Sequence, residues 1–152
     1  MQTVLTLYDR LTDRFSSRLP EGLALLVNRV ALAGIFWRSG RTKVVEGTAL
    51  EISDTTYFLF EHEYTGLPLP VDLAVPLATY AEHLFPILLV LGLFTRCAAL
   101  SLLAMTLAIQ FFVYPEAWWA THLLWVALAA ILVSRGGGFF SLDALLASRR
   151  SQ

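Results

Sequence analysis

The chain has 152 residues, of which 57% are hydrophobic and 15% are charged, and its formal net charge is -1. Soluble domains are about 45–50% apolar and about 25% charged, so this composition indicates a membrane protein and argues against nucleic-acid binding, which needs a concentrated basic surface. The single cysteine, Cys97, excludes an intrachain disulfide, a CxxC redox pair and a thiolate zinc cluster. The length fits one domain, residues 1–152.

The N-terminal segment predicts a short helix that lies on the membrane surface. Its charged residues interrupt any apolar stretch before position 20, which excludes a signal peptide. Apolar residues, among them Val4, Leu7, Leu11 and Phe15, recur at three- to four-residue spacing. This spacing is typical of an amphipathic interfacial helix.

Four later stretches are apolar enough to cross a bilayer, which takes about 20 residues. They are residues 22–38, 72–94, 97–114 and 117–134. A soluble bundle is disfavoured because residues 84–94 and 123–133 have no polar face at the helical period. We therefore predict an all-α membrane protein with four transmembrane helices in an antiparallel bundle. A long loop, residues 39–71, joins the first two helices.

The placement of basic residues predicts the orientation in a bacterial cytoplasmic membrane. One side holds Arg10, Arg14, Arg18, Arg96, Arg135, Arg149 and Arg150, and the other side holds Arg38, Arg41 and Lys43. We expect both termini to be cytoplasmic and the loop of residues 39–71 to face outward. The loop contains "TTYFLFEHEY", which is too aromatic to extend into water, so we expect it to cover the mouth of the bundle or to lie at the interface.

Two opposite charges lie inside the predicted spans, Arg29 in the first and Glu82 in the second. Charges within a span usually face the bundle interior and have a partner. Because both lie near the middle of antiparallel neighbours, we predict an Arg29–Glu82 ion pair with Asn28 beside it. The pair either fixes the helix register or forms a site for a proton, a quinone head group or another small ligand, and the sequence leaves both open.

Other polar residues extend this prediction to a pocket that opens outward. The candidates within the spans are Asn28, Arg29, Glu82, His83, Gln110 and His122, and those of the outer loop are Lys43, Glu61, His62, Glu63 and Tyr64. An alternative is a copper site made of His62, His83 and His122, because imidazole suits copper. No HxH or HxxxH spacing supports that site. There is also no GxGxxG or P-loop motif, so no self-contained catalytic motif is present. The glycines of "RGGGFFSLD" predict a turn, and Ser141 is expected to cap a short C-terminal helix.

The order of these segments resembles the DoxX family of small bacterial membrane proteins. The resemblance covers residues 22–146 and is carried by "LLVNRVALAGIFWRSGRTK", "TYFLFEHEYTGLPLP", "ATYAEHLFPILLVLGLFTRCAALSLLAM" and "HLLWVALAAILVSRGGGFFSLD". It implies a four-helix bundle in the cytoplasmic membrane. Of the candidate residues, Arg29, Lys43 and Glu82 match the family pattern.

The resemblance does not imply one activity, and three alternative functions stay open. The first is an accessory subunit of a redox or oxidative-stress system, with a buried polar site that binds quinone or relays protons. The second is a component of a copper or metal-stress system that works with bufferin-type peptides. The third is a non-catalytic scaffold for soluble partner proteins. One cysteine cannot cycle as a dithiol, so electrons would need a bound quinone or a partner. Homo-oligomer formation stays open.

Overall fold

The computed structural model describes residues 18–150, and within them every regular element is helical. The predicted amphipathic helix at the N-terminus lies outside the described residues. The elements are α1 (Arg18–Arg41), α2 (Asp54–His62), α3 (Val71–Leu91), α4 (Thr95–Phe112), a 3₁₀ turn (Pro115–Ala117), a π-helical turn (Trp118–His122), α5 (Leu123–Arg135) and α6 (Leu142–Arg150).

Four helical segments are long and apolar enough to cross a membrane, which confirms the predicted fold class. They are Leu19–Arg41, Val71–Leu91, Thr95–Phe112 and Pro115–Arg135. Large apolar side chains lie exposed along them, for example Leu73, Leu77 and Leu124. Contiguous apolar surface of this kind is expected to contact lipid.

The four spans pack in a ring, with α1 against α3, α3 against α4, α4 against α5, and α5 against α1. Their shared core is made of fully buried side chains, among them Leu32, Phe36, Leu89, Leu102 and Leu132. A second apolar cluster of Phe60, Ala74 and Val75 fixes α2 to the start of α3. We call the end of the bundle that carries α2 the loop end, and the end that carries α6 the tail end.

The tail end is shaped by one tight turn between α3 and α4. Gly92 ends α3 in the left-handed conformation, with φ of 67°, and Leu93 N–H bonds to the Leu88 carbonyl at 3.0 Å. This is a glycine C-cap, which a side chain at that position would strain. The predicted Ser141 cap is also present, because Ala144 N–H donates to Ser141 Oγ at 3.1 Å.

Candidate functional site

Arg29 is fully buried and caps the end of a neighbouring helix. Its guanidinium donates to the carbonyls of Leu89 at 3.0 Å and Val90 at 3.2 Å, and to the Phe140 carbonyl. The carbonyls of a last helical turn have no partner within the helix, and the negative end of the helix dipole favours a cation there. The predicted Arg29–Glu82 ion pair is therefore wrong.

The Arg29–Glu82 prediction failed because the register between α1 and α3 differs from the one it assumed. Gly40, about 16 Å further along α1 than Arg29, is the residue that lies against Glu82 and His83. A Cβ atom at Gly40 would be 3.1 Å from Glu82 Cβ and 2.9 Å from His83 Cε1. Arg29 and Glu82 each lie near the middle of their own helix. They nevertheless lie at different depths in the bundle, because α1 and α3 are shifted along each other.

Arg29 belongs to a cluster that ties the chain's tail to the bundle, which we call the tail clasp (Arg29, Gly92 and Asp143). The Asp143 carboxylate accepts hydrogen bonds from Phe94 N–H at 2.8 Å and Thr95 N–H at 2.9 Å, and so caps α4. The Asp143 N–H donates to the Gly92 carbonyl at 2.9 Å. A Cβ on Gly92 would lie 2.2 Å from Arg29 Nη1, so the clasp is tightly packed. Its contacts are those of a structural element.

The partner of Glu82 is Lys43, which follows the end of α1. Lys43 Nζ lies 2.7 Å from Glu82 Oε2, and the two side chains are only 7% and 2% exposed. Removing two charges from water costs several kcal/mol per ion, which apolar packing would avoid. The Glu82 backbone carbonyl is a further polar group at this site. It has no helical donor, because Pro86 one turn later carries no N–H.

Lys43 is held in place from several elements. Its Nζ also donates to Ser39 Oγ at 3.1 Å, on the last turn of α1. Its backbone carbonyl accepts hydrogen bonds from Thr56 Oγ1 at 2.8 Å and Ser53 N–H at 3.1 Å. The start of α2 is thereby fixed to the residue that neutralises Glu82. The outer segment folds over the bundle, as one of the two sequence alternatives proposed.

The Lys43–Glu82 pair lines a cavity of about 390 Å³ between α2, α3 and α4, the loop-end cavity. Most of its walls are apolar, with Phe60, Leu77, Phe85, Met105 and Ile109 among the lining residues. Leu77, which lies within the span Val71–Leu91, is 62% exposed, so the cavity opens on a side of the bundle that faces lipid. Small-molecule sites have about this size and this mixture of apolar walls and few polar groups.

Tyr64 lines the same cavity and leads to a second tyrosine. The rings of Tyr64 and Tyr114 meet edge to face, with centroids 5.9 Å apart. The Tyr114 hydroxyl donates to Glu63 Oε2 at 3.0 Å. Burial raises the pKa of Tyr64 above its ordinary value, and the neighbouring Tyr114 and Glu82 raise it further. Burial is also the largest cause of the raised pKa of Tyr114. Both phenols are therefore neutral near pH 7.

Gln110 and His122 form a separate buried pair at the loop end. His122 Nδ1 and Gln110 Oε1 are 2.7 Å apart, and Gln110 Nε2 donates to the Pro115 carbonyl at 2.7 Å. The His122 ring packs against Trp125, with centroids 5.2 Å apart. The pair fixes the π-helical turn to the end of α4, and neither residue lines the loop-end cavity.

The remaining residues of the predicted pocket are also dispersed. His83 Nδ1 lies 2.7 Å from the Thr79 carbonyl, and its ring meets Trp37 edge to face at 5.2 Å. Asn28 Nδ2 donates to the Leu128 carbonyl on α5 at 3.3 Å. Of the six residues predicted within the spans, Glu82 alone lines the loop-end cavity.

The outer-loop candidates divide in the same way. Lys43 and Tyr64 line the cavity, and Glu63 binds Tyr114, whereas Glu61 is exposed. His62 stacks on Phe58 with ring centroids 4.0 Å apart. Within residues 18–150 no group of three His, Cys, Asp or Glu side chains is placed to hold a metal ion. The structure thus does not bring His62, His83 and His122 together.

The sequence did not predict that Lys43 pairs with Glu82, that Asp143 caps α4, or that the Tyr114 hydroxyl donates to Glu63. Lys43 carried a usable signal, because it is the one lysine of the chain and closely follows a span. A lysine there has a stem long enough to reach back into the bundle. Tyr114 carried no such signal, since its contact with Glu63 joins residues far apart in the chain.

Comparison with known proteins identifies the family of this chain. The DoxX family profile matches residues 24–115, which include most of the first span, the whole of the second and third, and the Lys43–Glu82 pair. An uncharacterized protein of Haemophilus influenzae is 32% identical over 141 residues, covering 82% of this chain and 84% of the relative. No solved structure matches the chain at a significant level. The chain belongs to the DoxX family.

Proposed function

We propose that this DoxX protein is an accessory subunit of a redox or oxidative-stress system and binds a quinone in the loop-end cavity. The observation that carries the proposal is the buried Lys43–Glu82 pair at one end of an apolar cavity that opens towards lipid. A buried ion pair that includes a charge within a span is costly, and its position beside free volume favours a ligand-binding role.

The residues present suit a quinone in both its oxidation states. Lys43 is a donor for a quinone carbonyl, and Glu82 is an acceptor for a quinol hydroxyl. Tyr64 supplies a hydroxyl that serves as donor or acceptor. The apolar side chains of Phe60, Phe85 and neighbouring residues would contact the ring and the first part of an isoprenoid tail. The lipid-facing mouth would let the rest of the tail remain in the bilayer.

We infer the orientation from the two ends of the bundle. The tail end carries Arg96, Arg135, Arg149 and Arg150, and the loop end carries Arg38 and Arg41. An excess of arginine favours the cytoplasmic side, so the tail end would be cytoplasmic and the loop-end cavity would lie towards the outer side of the inner membrane. The single cysteine supplies no dithiol, and electron transfer would therefore depend on a partner protein.

The test is to measure quinone bound to protein purified from bacterial membranes in mild detergent. We expect near-stoichiometric quinone in the wild type. We expect its loss in a double variant, Lys43→Met with Glu82→Leu, which replaces the ion pair by apolar side chains of similar volume. The matched control is Gln110→Leu with His122→Phe, which removes another buried polar pair at the same end and should retain quinone.

The outcomes separate the alternatives. A wild-type protein without quinone, or quinone retained in the Lys43→Met/Glu82→Leu variant, would overturn the proposal. Elemental analysis of the same sample for copper tests the metal-stress alternative. Protein that holds neither quinone nor copper but copurifies with a soluble protein would favour the scaffold alternative.

A further inference from the structure

Two tyrosines, Tyr64 and Tyr114, lie between the loop-end cavity and the exposed Glu63. Glu82 is buried, Tyr64 and Tyr114 are half-buried, and Glu63 is exposed. Tyr64 lines the cavity together with Lys43 and Glu82. Its ring contacts Tyr114, whose hydroxyl donates to Glu63 Oε2 at 3.0 Å. Burial thus decreases step by step from the ion pair to water.

We propose that Tyr64, Tyr114 and Glu63 form a route along which protons pass between the loop-end cavity and the water at the loop end. This proposal rests on the proposed quinone site. Oxidation of a quinol gives a quinone, two protons and two electrons, and the electrons would pass to an electron-carrier protein. The Lys43–Glu82 pair is almost without solvent contact, so the two protons need a way out.

The chemistry of each residue suits this transfer. A phenol both donates and accepts a hydrogen bond, so Tyr64 can take a proton at its oxygen while it releases its own towards Tyr114. Tyr114 does the same towards Glu63, whose exposed carboxylate then releases the proton to water. Each tyrosine ends the transfer with the same number of protons as it began. A bound head group or a water would bridge Glu82 and Tyr64 across the cavity.

The local packing holds the two tyrosines together. Gly66 lies directly against the end of α4, where a Cβ atom would be 2.2 Å from the Phe112 carbonyl oxygen. The segment after α2 can approach α4 this closely only because residue 66 is glycine. Tyr64 is therefore held against Tyr114 across two elements that are distant in sequence.

Other exits are less suitable. The mouth of the cavity faces lipid, which offers a proton no hydrogen-bonding group. The titratable groups that face the route are Lys43 and Glu82 at its inner end and Glu63 and Glu116 at its outer end. The raised pKa values of Tyr64 and Tyr114 keep both hydroxyls protonated, which is the state that a proton relay needs.

The test uses the full-length protein loaded with a short-chain ubiquinone and adsorbed on an electrode, where scan rate reports the speed of proton-coupled quinone reduction. Tyr114→Phe keeps the ring and removes the hydroxyl, and Glu63→Gln keeps a hydrogen-bond acceptor that cannot take a proton. We expect both variants to lower the rate about tenfold or more, because correctly placed acid–base groups contribute at least that much. Their quinone content should equal that of the wild type.

Tyr57→Phe is the matched control, because Tyr57 packs near Phe60 on α2 and does not line the cavity. It should leave the rate unchanged. Wild-type rates in Tyr114→Phe and Glu63→Gln, with quinone retained, would overturn the proton route alone. Loss of quinone from Tyr114→Phe would also overturn it, since Tyr114 would then hold the ligand. A wild-type film without a quinone signal would instead refute the quinone site itself.

Discussion

Two buried cations, Arg29 at the tail end and Lys43 at the loop end, have opposite surroundings. Arg29 donates to three backbone carbonyls, and the tail clasp around it is tightly packed. Lys43 pairs with a carboxylate and lines a cavity of about 390 Å³. The comparison separates a buried charge beside free volume, which we propose belongs to a ligand site, from a buried charge enclosed by backbone carbonyls, which is a structural cap.

The type of side chain agrees with this division. A guanidinium is planar, always charged and carries five donors, so it can hold several carbonyls that point in different directions. A lysine ammonium is a compact charge with three rotatable donors on a flexible stem. Arg29 thus serves to hold the tail segment against the α3–α4 turn, whereas Lys43 lines the cavity that we propose as the ligand site.

The largest expected loss of stability comes from Arg29→Met, which tests whether Arg29 is a structural cap. It leaves the carbonyls of Val90 and Phe140 without a donor, whereas the Leu89 carbonyl keeps the Gly92 N–H at 3.1 Å. Since each of these two unpaired buried groups costs about 1–3 kcal/mol, we expect the free energy of unfolding to fall by about 2–6 kcal/mol. Titration with a denaturing detergent would measure this loss.

The control for Arg29→Met is Arg135→Met, at the same end of the bundle. Arg135 lies 3.3 Å from Glu21 in an exposed ion pair, and its loss should cost less than about 1 kcal/mol. The comparison between the two ends would fail if Arg29→Met proved as harmless as Arg135→Met. It would fail equally if folded Arg29→Met protein lost its quinone, because Arg29 would then belong to a ligand site.

The next effect comes from the Lys43–Glu82 pair. Glu82→Leu alone leaves a buried ammonium unpaired and should cost about 3–5 kcal/mol. The double variant Lys43→Met/Glu82→Leu should recover stability to within about 1 kcal/mol of the wild type, because apolar pairs often replace buried ion pairs without loss. Detergent unfolding of the wild type, both single variants and the double variant measures these differences.

Together, the wild type, the two single variants and the double variant separate the effect of the Lys43–Glu82 pair on stability from its effect on quinone binding. A double variant that is as stable as the wild type but empties the cavity of quinone would show that the pair is retained for binding. A double variant as unstable as Glu82→Leu alone would contradict the assignment, since the pair would then be needed for the fold. No second substitution is expected to restore the stability that Arg29→Met loses. The acceptors of Arg29 are backbone carbonyls, which a change of side chain does not remove.

The sequence was sufficient for the fold but not for the site. Four apolar stretches of bilayer length are a local property, so the spans could be predicted to within a few residues. The depth of Arg29 relative to Glu82 depends on the shift between α1 and α3, which packing determines and a hydropathy pattern does not contain. The same holds for Tyr64 and Tyr114, which come together because α2 and its following segment fold back onto α4.

The smallest expected effect is a loss of stability at high pH that originates at the loop end. The pKa of Tyr64 is raised above the ordinary value of 10.0, chiefly by burial. Below pH 10.0 the phenol is neutral in both the folded and the unfolded chain, and its contribution to stability is fully present. As the pH rises above that value, the unfolded chain loses the proton first, so the free energy of unfolding decreases.

Tyr64→Phe should therefore reduce this alkaline decrease and leave stability near pH 7 little changed. The measurement is detergent unfolding of wild type and variant at about pH 9 and about pH 11, compared as a difference so that other titrating groups cancel. Tyr80→Phe is the control, because Tyr80 lies half exposed on the lipid side of α3. An alkaline decrease of equal size in the wild type and in Tyr64→Phe would mean that the Tyr64 hydroxyl is solvated. The difference between the loop end and the tail clasp would then rest on the Lys43–Glu82 pair and its cavity, without a desolvated Tyr64 hydroxyl beside them.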